Sequence, residues 1–315
     1  RTWRWQVKTS DIRCLRSGRL SGIVQKVKGA SGYRRQIESG KYTGIGSGIR
    51  MKIAVCMKQV PATSQGDMDK KTGVMIRSGL QAIVNVYDLA ALEAALRIRE
   101  QCGGEVHVFT MGPDKAEMVL REAFAMGADE GYLICDKAFA GADVLATSYT
   151  LKQAIQSSDD YDMILCGRQT TDGDTAQVSG AIAEWMQIPR LNWVTGIDVL
   201  DEHTLGVEYC MEHRTVMAKV TLPCLMSVER DGFPPRMPSL KLKICGRKKE
   251  IHRISMADLE DQNPEHYGLK GSATRVKKIY PPEQTSKQEL LCMEKDEAAL
   301  YIAEVLNELL KEDGQ

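Results

Sequence analysis

The richest set of phosphate-binding side chains in this sequence lies in a polar loop, residues 168–174. The loop follows an apolar run, residues 163–166, that predicts a buried strand, and it precedes apolar residues at helical spacing. Threonines in and next to the loop supply hydroxyl groups, and Arg168 supplies a permanent positive charge. A strand, a polar loop and a helix start in this order are typical of a site that binds an anion such as a phosphate.

The helix start itself is predicted from Asp174 and Gln177. Asp174 is a good N-cap, and Gln177 three residues later completes a capping-box pattern. The first amides of a helix have no internal partner and carry a partial positive charge, which favours anions. We therefore interpret the loop as holding the pyrophosphate and ribose of an adenine nucleotide. The alternative from the same residues is an ordinary capped helix after a sheet strand.

From Met51 onward, predicted strands alternate with predicted helices. Apolar runs predict buried strands at residues 51–58, 105–111, 131–135 and 163–166. Helical spacing predicts helices over residues 89–101, 114–126, 143–156 and 175–186. Acidic residues at the starts of the first three helices, Asp88, Asp114 and Asp143, are suitable N-caps. Short connections in such an alternation predict a parallel sheet with right-handed crossovers and helices on both faces.

Ligands of parallel sheets bind at the carboxyl ends of the strands. The loops that leave this edge begin at Lys58, Met111, Asp136 and Gly167. Their convergence supports the nucleotide interpretation better than any single loop. No GxGxxG motif follows the first strand, so a Rossmann dinucleotide site of the usual kind is disfavoured.

After Pro189 the pattern changes to alternating, β-branched segments. Residues 191–199, 204–211 and 215–221 predict added antiparallel strands, and residues 222–228 predict a last short strand. Residues 229–239 contain three prolines and cannot form a helix or a central strand. Exposed Phe233 and Met237 in this segment indicate a projecting loop that docks on another molecule. A stiff connector is the alternative.

The C-terminal third is more polar. Residues 241–249 are basic, but no aromatic residues are interleaved among them, and the chain after residue 50 is net acidic. We therefore expect a solvated or partner-facing patch rather than a nucleic-acid site. Residues 251–294 resemble an arm that wraps around another surface. Residues 297–311 predict a helix with a wide apolar stripe, which packs on the body or on a partner.

Composition excludes several classes of protein. The chain has 315 residues and 43% hydrophobic residues, and no apolar run approaches the ~18 residues of a membrane span. Nine cysteines show no CxxC motif or Cys/His cluster, which favours reduced thiols in a reducing, cytoplasmic setting and disfavours a zinc or iron–sulfur site. Isolated histidines are expected at the surface and not as metal ligands: His203, His213, His252 and His266.

Residues 1–50 differ from the rest in charge. They carry twelve Lys or Arg and two Asp or Glu, whereas the remainder carries 30 basic and 40 acidic residues. This segment lacks periodicity and is followed by Met51, a plausible start. We expect a disordered leader that is not part of the working protein. The alternative is a transit peptide, which would direct the chain to the mitochondrial matrix.

Several stretches together match one family. They are residues 55–61, 85–96, 110–113, 125–131, 166–178 and 222–240, among them CGRQTTDGDTAQV. In sequence and order they resemble the beta subunit of electron transfer flavoproteins. The resemblance implies a heterodimer with an alpha subunit that binds FAD and carries electrons from flavin dehydrogenases. Residues 1–50 have no counterpart in the family.

The resemblance also implies a cofactor site. In one branch of the family the beta subunit binds AMP, and in the electron-bifurcating branch the same place holds the adenosine diphosphate part of a second FAD, to which NADH could deliver hydride. Residues 140–148 look like the bifurcating branch, although Val144 replaces a threonine that is common there. Separately, Asn85-Val86 stands where the family usually has Asn-Pro. The cofactor-binding residues implied are Cys56, Asn85, Val86, Tyr87, Asp88, Met111, Gly112, Asp143, Thr147, Gly167, Arg168, Gln169, Thr170, Thr171, Asp172, Gly173, Asp174, Thr175, Ala176, Gln177 and Val178.

The prolines of residues 229–239 look like the family's recognition loop, which docks on acyl-CoA dehydrogenase-like partners. Gly232 stands where a leucine is common. We therefore expect Phe233, Arg236 and Met237 to make the docking contacts.

The resulting expectation is an α/β fold: a parallel twisted sheet with helices on both faces, similar to adenine nucleotide alpha hydrolases, with added antiparallel strands and an extended C-terminal arm. Its expected parts are the leader (1–50), a nucleotide- or flavin-binding domain (51–228), a recognition loop with a basic segment (229–250), and an arm and helix that wrap onto the alpha subunit (251–315).

Two other functions share these loops. A nucleotide-hydrolysing enzyme would need a P-loop with Lys or clustered metal carboxylates; Asp172 and Asp174 are candidates, but Asp174 is better used as a cap. An adenine-nucleotide sensor, or a structural AMP-binding subunit without a redox flavin, would use every loop discussed. No catalytic acid, base, nucleophile or metal site is expected.

Overall fold

The computed structural model describes residues 25–26, 49–62, 82–212, 214–275 and 291–312. Most of the expected leader and His213 lie outside the described residues. None of the described helices is long and apolar enough to cross a membrane.

Strands and helices alternate through the first part of the chain and give way to strands in the second. The strands are β1 (Gln25–Lys26), β2 (Met51–Cys56), β3 (Gln59–Pro61), β4 (Ala82–Val84), β5 (Gly104–Met111), β6 (Glu130–Ile134), β7 (Met163–Gly167), β8 (Arg190–Val199), β9 (Thr204–Met211), β10 (Arg214–Thr221), β11 (Cys224–Val228) and β12 (His252–Ile254). The helices are α1 (Val86–Cys102), α2 (Glu117–Met126), α3 (Val144–Ser158), α4 (Val178–Met186), α5 (Leu240–Gly246), α6 (Gly268–Gly271) and α7 (Lys295–Glu312).

Ten of these strands form one sheet in the order β1-β10-β9-β8-β11-β7-β2-β5-β6-β12. The strands from β8 to β12 in this order pair in parallel, and β9, β10 and β1 extend the β8 edge in antiparallel fashion. The predicted α/β fold with added antiparallel strands is confirmed. Strand β8 differs from expectation, because it is antiparallel to β9 but parallel to β11.

The core lies on both faces of this sheet. Along β2, Ile53 and Val55 belong to one buried cluster, while Ala54 and Cys56 belong to the other, as the alternation of side chains along a strand requires. Buried residues of α1 and α2 complete the first cluster, and those of α3 and α4 complete the second. Helices therefore cover both faces, as predicted.

The predicted helix starts are confirmed only in part. Asp143 is the N-cap of α3, and its Oδ1 accepts a hydrogen bond from the Ala146 amide at 3.1 Å. Asp88 is not an N-cap, because α1 begins at Val86 and buries Asp88 in its first turn. Asp114 opens a 3-10 turn that precedes α2, and its carboxylate pairs with Arg253 at 2.6 Å.

The segment of residues 251–275 was expected to be an extended arm, but it packs against the sheet. Strand β12 pairs in parallel with β6, and Tyr267 is fully buried. The part of the expected arm up to residue 275 therefore belongs to the same compact unit as the sheet. The predicted C-terminal helix is present as α7, in a second compact unit, and its apolar residues are exposed.

Candidate functional site

A crevice of about 360 Å³ opens at the carboxyl ends of β2, β5 and β7, within the size range of small-molecule sites. The loop before α4 and the first turn of α3 form the rest of its wall. Its lining residues are Cys56, Met57, Lys58, Asp88, Met111, Ala142, Asp143, Val144, Thr147, Leu151, Cys166, Gly167, Arg168, Gln169, Thr170, Gly173, Thr175, Ala176, Gln177, Val178 and Ser179.

The structure thus brings most of the expected cofactor-binding residues together. Seven of them do not line the crevice: Asn85, Val86, Tyr87, Gly112, Thr171, Asp172 and Asp174. Sequence reasoning about the site missed Lys58 as a cation and Cys166 as a lining thiol. The position of Lys58 at a strand end, where the first loop begins, is the signal in the sequence that could have found it.

The loop of residues 168–177 is tied to the body. The Lys58 Nζ donates to both carboxylate oxygens of Asp172, at 2.8 and 2.7 Å. The Asn85 side-chain amide donates to the Gln169 carbonyl at 2.8 Å. Asn85 and Asp172 therefore shape the crevice without lining it.

The predicted capping box is wrong. Helix α4 begins at Val178, and the Gln177 side chain makes no capping hydrogen bond. Asp174 and Ala176 have φ values of 50° and 52°, in the left-handed region. Such a backbone cannot lead directly into a helix from Asp174, so the loop is three residues longer than the capping pattern predicts.

Asp88 joins the ends of β2 and β7 beside the crevice. Its Oδ2 accepts a hydrogen bond from the Lys58 backbone amide at 2.8 Å. A Cβ at Gly167 would lie 2.3 Å from the Asp88 Oδ1, so only glycine fits there. Burial raises the pKa of Asp88 to about 7, although hydrogen bonds from the Lys58 amide and the Asn85 side chain act to lower this pKa.

Arg168 lies between the crevice and the segment that follows β11. Its Nη1 donates to the Glu229 Oε2 at 2.7 Å, and its guanidinium carbon lies 4.8 Å from the centre of the Trp193 ring. Its Nε is buried and has no hydrogen-bond partner among the described residues. The expected cation is present and is already paired with a carboxylate.

Two thiols form part of the wall. Cys56 and Cys166 are register partners at the ends of β2 and β7, and both are buried. A hydrogen bond with Cys56, together with burial, raises the pKa of the Cys166 thiol. The raised pKa favours the neutral thiol at Cys166, and both sulfur atoms present soft surface to the crevice.

Asp143 connects the start of α3 to the segment near residue 274. Its Oδ2 accepts hydrogen bonds from the backbone amide and hydroxyl of Thr274, both at 2.9 Å. Burial acts to raise the pKa of Asp143, but the hydrogen bonds from Ala146 and Thr274 lower this pKa overall. The carboxylate therefore stays ionised and occupies the N-terminus of α3 itself.

The expected docking residues differ in exposure. Phe233 is only 6% exposed and packs into the core, with the Arg97 guanidinium 5.9 Å from its ring centre, so its predicted exposure is wrong. Arg236 pairs with Glu93 and Glu100 on α1. Met237 is 87% exposed, as predicted. The proline-rich segment is therefore anchored to the body by Phe233 and Arg236, just before its exposed methionine.

Two further exposed apolar residues follow Met237 on α5. Leu240 and Ile244 are 74% and 55% exposed, and their spacing of four residues places them on one face of the helix. Sequence reasoning treated residues 241–249 only as a basic patch. The apolar positions between the lysines were the signal for this surface.

No group of three or more potential metal ligands occurs among the described residues. His252 and His266 each lie beside a carboxylate at the surface, Glu130 at 2.9 Å and Asp261 at 2.5 Å. Both contacts are hydrogen bonds between a surface histidine and a neighbouring carboxylate.

Comparison with known proteins identifies the family. Residues 72–259 match the model of the electron transfer flavoprotein domain. The electron transfer flavoprotein subunit beta of Thermoanaerobacterium thermosaccharolyticum is 42% identical over 82% of this chain and 98% of its own length. The subunit CarD of the caffeyl-CoA reductase-Etf complex of Acetobacterium woodii is 41% identical over 76% and 92%. The protein FixA of Sinorhizobium fredii is 38% identical over 82% and 92%. The chain therefore belongs to the electron transfer flavoprotein beta-subunit family, as its sequence motifs predicted.

Proposed function

We propose that this chain binds an adenine nucleotide in the crevice and acts in electron transfer as the beta subunit of a heterodimer with an alpha subunit. One observation carries the proposal: the ends of parallel strands, a hydroxyl-rich loop and the cations Lys58 and Arg168 meet around one cavity. The Arg168 Nε has no hydrogen-bond partner in the described part of the chain, which fits a ligand that accepts hydrogen bonds. Anionic phosphates match this set of donors.

FAD is favoured over AMP as the ligand. The crevice extends to Ala142 before α3 and to Val144 and Thr147 on α3, beyond the loop that suits a phosphate. When bound, the flavin supplies the redox chemistry, and NADH is a suitable hydride donor to it. The chain's own residues offset phosphate charge through Lys58 and Arg168, while the Cys166 thiol, whose pKa is raised, adds a neutral group to the adjoining wall.

Exposed apolar surface supports the expected partners. On α7, Leu300, Ile302 and Leu306 are all more than half exposed, which is unusual for a helix that faces only water. We assign these exposed apolar residues of α7 to contact with the alpha subunit. We assign the surface of Met237, Leu240 and Ile244, with its neighbouring lysines, to a flavin dehydrogenase such as an acyl-CoA dehydrogenase-like protein.

The test is a count of cofactors. The chain is co-expressed with its alpha subunit, the complex is purified, and flavin and AMP are measured per heterodimer. Two flavins support FAD in this crevice, whereas one flavin with one AMP supports the alternative ligand. The absence of both from the beta subunit would refute the proposed site.

A further inference from the structure

Both cations that line the crevice are already paired with carboxylates of the chain. Lys58 binds Asp172, which belongs to the same loop of residues 168–177. Arg168 binds Glu229, which lies 61 residues away in sequence, at the start of the proline-rich segment. An incoming phosphate therefore meets cations that have an internal anion as a competitor. Only the second pair reaches from the crevice to another surface.

Glu229 is the first residue of the segment that leads to the exposed Met237. Its amide donates to the Val194 carbonyl at 2.8 Å, and its Oε1 accepts from the Arg230 amide at 3.2 Å. The Gly232 amide in turn donates to the Glu229 carbonyl at 3.3 Å. The position of residues 229–232 therefore depends on where Glu229 is held.

The Arg168 side chain is positioned so that its guanidinium can exchange one hydrogen-bond acceptor for another. Trp193 covers one face of its guanidinium, which leaves the edge of the group free to exchange acceptors in its own plane. Its Nε has no hydrogen-bond partner among the described residues, so the present pairing leaves a buried donor unused. Trp193 itself has a φ of 59°, a costly conformation for a non-glycine residue, of the kind found at functional sites.

We propose that a phosphate group of the bound nucleotide competes with Glu229 for Arg168, and that this exchange links occupancy of the crevice to the position of residues 229–232. The inference rests on the proposed nucleotide site. Because linkage is reciprocal, a partner that docks on the segment and displaces Glu229 also changes nucleotide affinity. Glu229 acts through Arg168 and is therefore a positioning residue.

The first test is a double-mutant cycle of AMP affinity, measured by calorimetry on the heterodimer with its nucleotide removed. Glu229→Gln removes the competing charge and keeps the shape of the side chain, so AMP binding tightens about tenfold. Arg168→Gln weakens AMP binding, and in that background Glu229→Gln has no further effect. Asp231→Asn is the matched control, because its exposed carboxylate lies two residues away and outside the exchange; it leaves AMP affinity unchanged.

The second test is hydrogen exchange of the amides of residues 229–232. AMP speeds their exchange in the wild-type heterodimer and has no effect on it in Arg168→Lys, which keeps the charge but loses the planar fork. Unchanged exchange on AMP binding, or weaker binding by Glu229→Gln, would overturn the link while the nucleotide site stands. A wild-type heterodimer that binds neither AMP nor flavin in this crevice would instead overturn the proposed function.

Discussion

Asp88 makes the stability of this protein depend on pH in the opposite direction from most carboxylates. Burial raises its pKa from 3.8 to about 7 in the folded chain. Between these two values the folded state binds more protons than the unfolded state, so the free energy of unfolding falls as the pH rises through this window. From pH 5 to pH 8 this one group removes about 2–3 kcal/mol of stability.

Asp88→Asn isolates this effect. Asparagine keeps an oxygen that accepts the Lys58 amide but cannot ionise, so the variant lacks this part of the pH dependence. The assay is urea unfolding of wild type and variant at pH 5 and pH 8. Relative to the variant, the wild type loses about 2–3 kcal/mol between the two pH values.

The control is Asp231→Asn, the same substitution at an exposed carboxylate. It keeps the pH dependence of the wild type. If Asp88→Asn also keeps that dependence, then Asp88 ionises normally in the folded chain and the argument from its burial is refuted.

Two further predictions concern the crevice and the docking segment. Gly167→Ala places a Cβ 2.3 Å from the Asp88 Oδ1 and 2.7 Å from the Tyr87 backbone, so α1 must shift. We expect both the nucleotide content of the purified complex and its melting temperature to fall. An unchanged nucleotide content would contradict this contact. Phe233→Ala removes a buried ring and lowers the free energy of unfolding by about 3–5 kcal/mol. Met237→Ala changes the free energy of unfolding by less than about 0.5 kcal/mol. The same Met237→Ala variant weakens the capture of a flavin dehydrogenase in a pull-down. The opposite ranking in urea unfolding would refute the assigned exposures.

Much of the sheet could be predicted because its strands are locally encoded. Residues 53–56 and 163–166 are continuous apolar runs, which is what a parallel strand buried on both faces requires. The same pattern places their loops at one edge, and most residues expected at the site do line the crevice. Helix starts were harder to predict. By residue type, Asp88 and Asp174 are as suitable for an N-cap as Asp143, but only Asp143 of these three caps a helix in the structure.

Contacts between segments that are distant in sequence decided the features that these local patterns did not predict, namely the burial of Asp88 and the backbone conformation at Asp174. Asp88 is buried because the end of β7 packs against α1, and this burial disfavours its charged form. Asp174 adopts a left-handed backbone within a loop tied down by Lys58 and Asn85.

The sequence by itself determined the α/β alternation, the family and the residues that gather at the carboxyl edge, since each depends on short-range periodicity or on recognisable motifs. Only the tertiary structure decided that Phe233 is buried while Met237 is exposed, because both are apolar residues next to a proline and only Phe233 packs into the core cluster that contains residues of α1. It also decided that Arg168 is shared with Glu229. Pairing across 61 residues leaves no periodic trace in a sequence, since it depends on where two strands end in space.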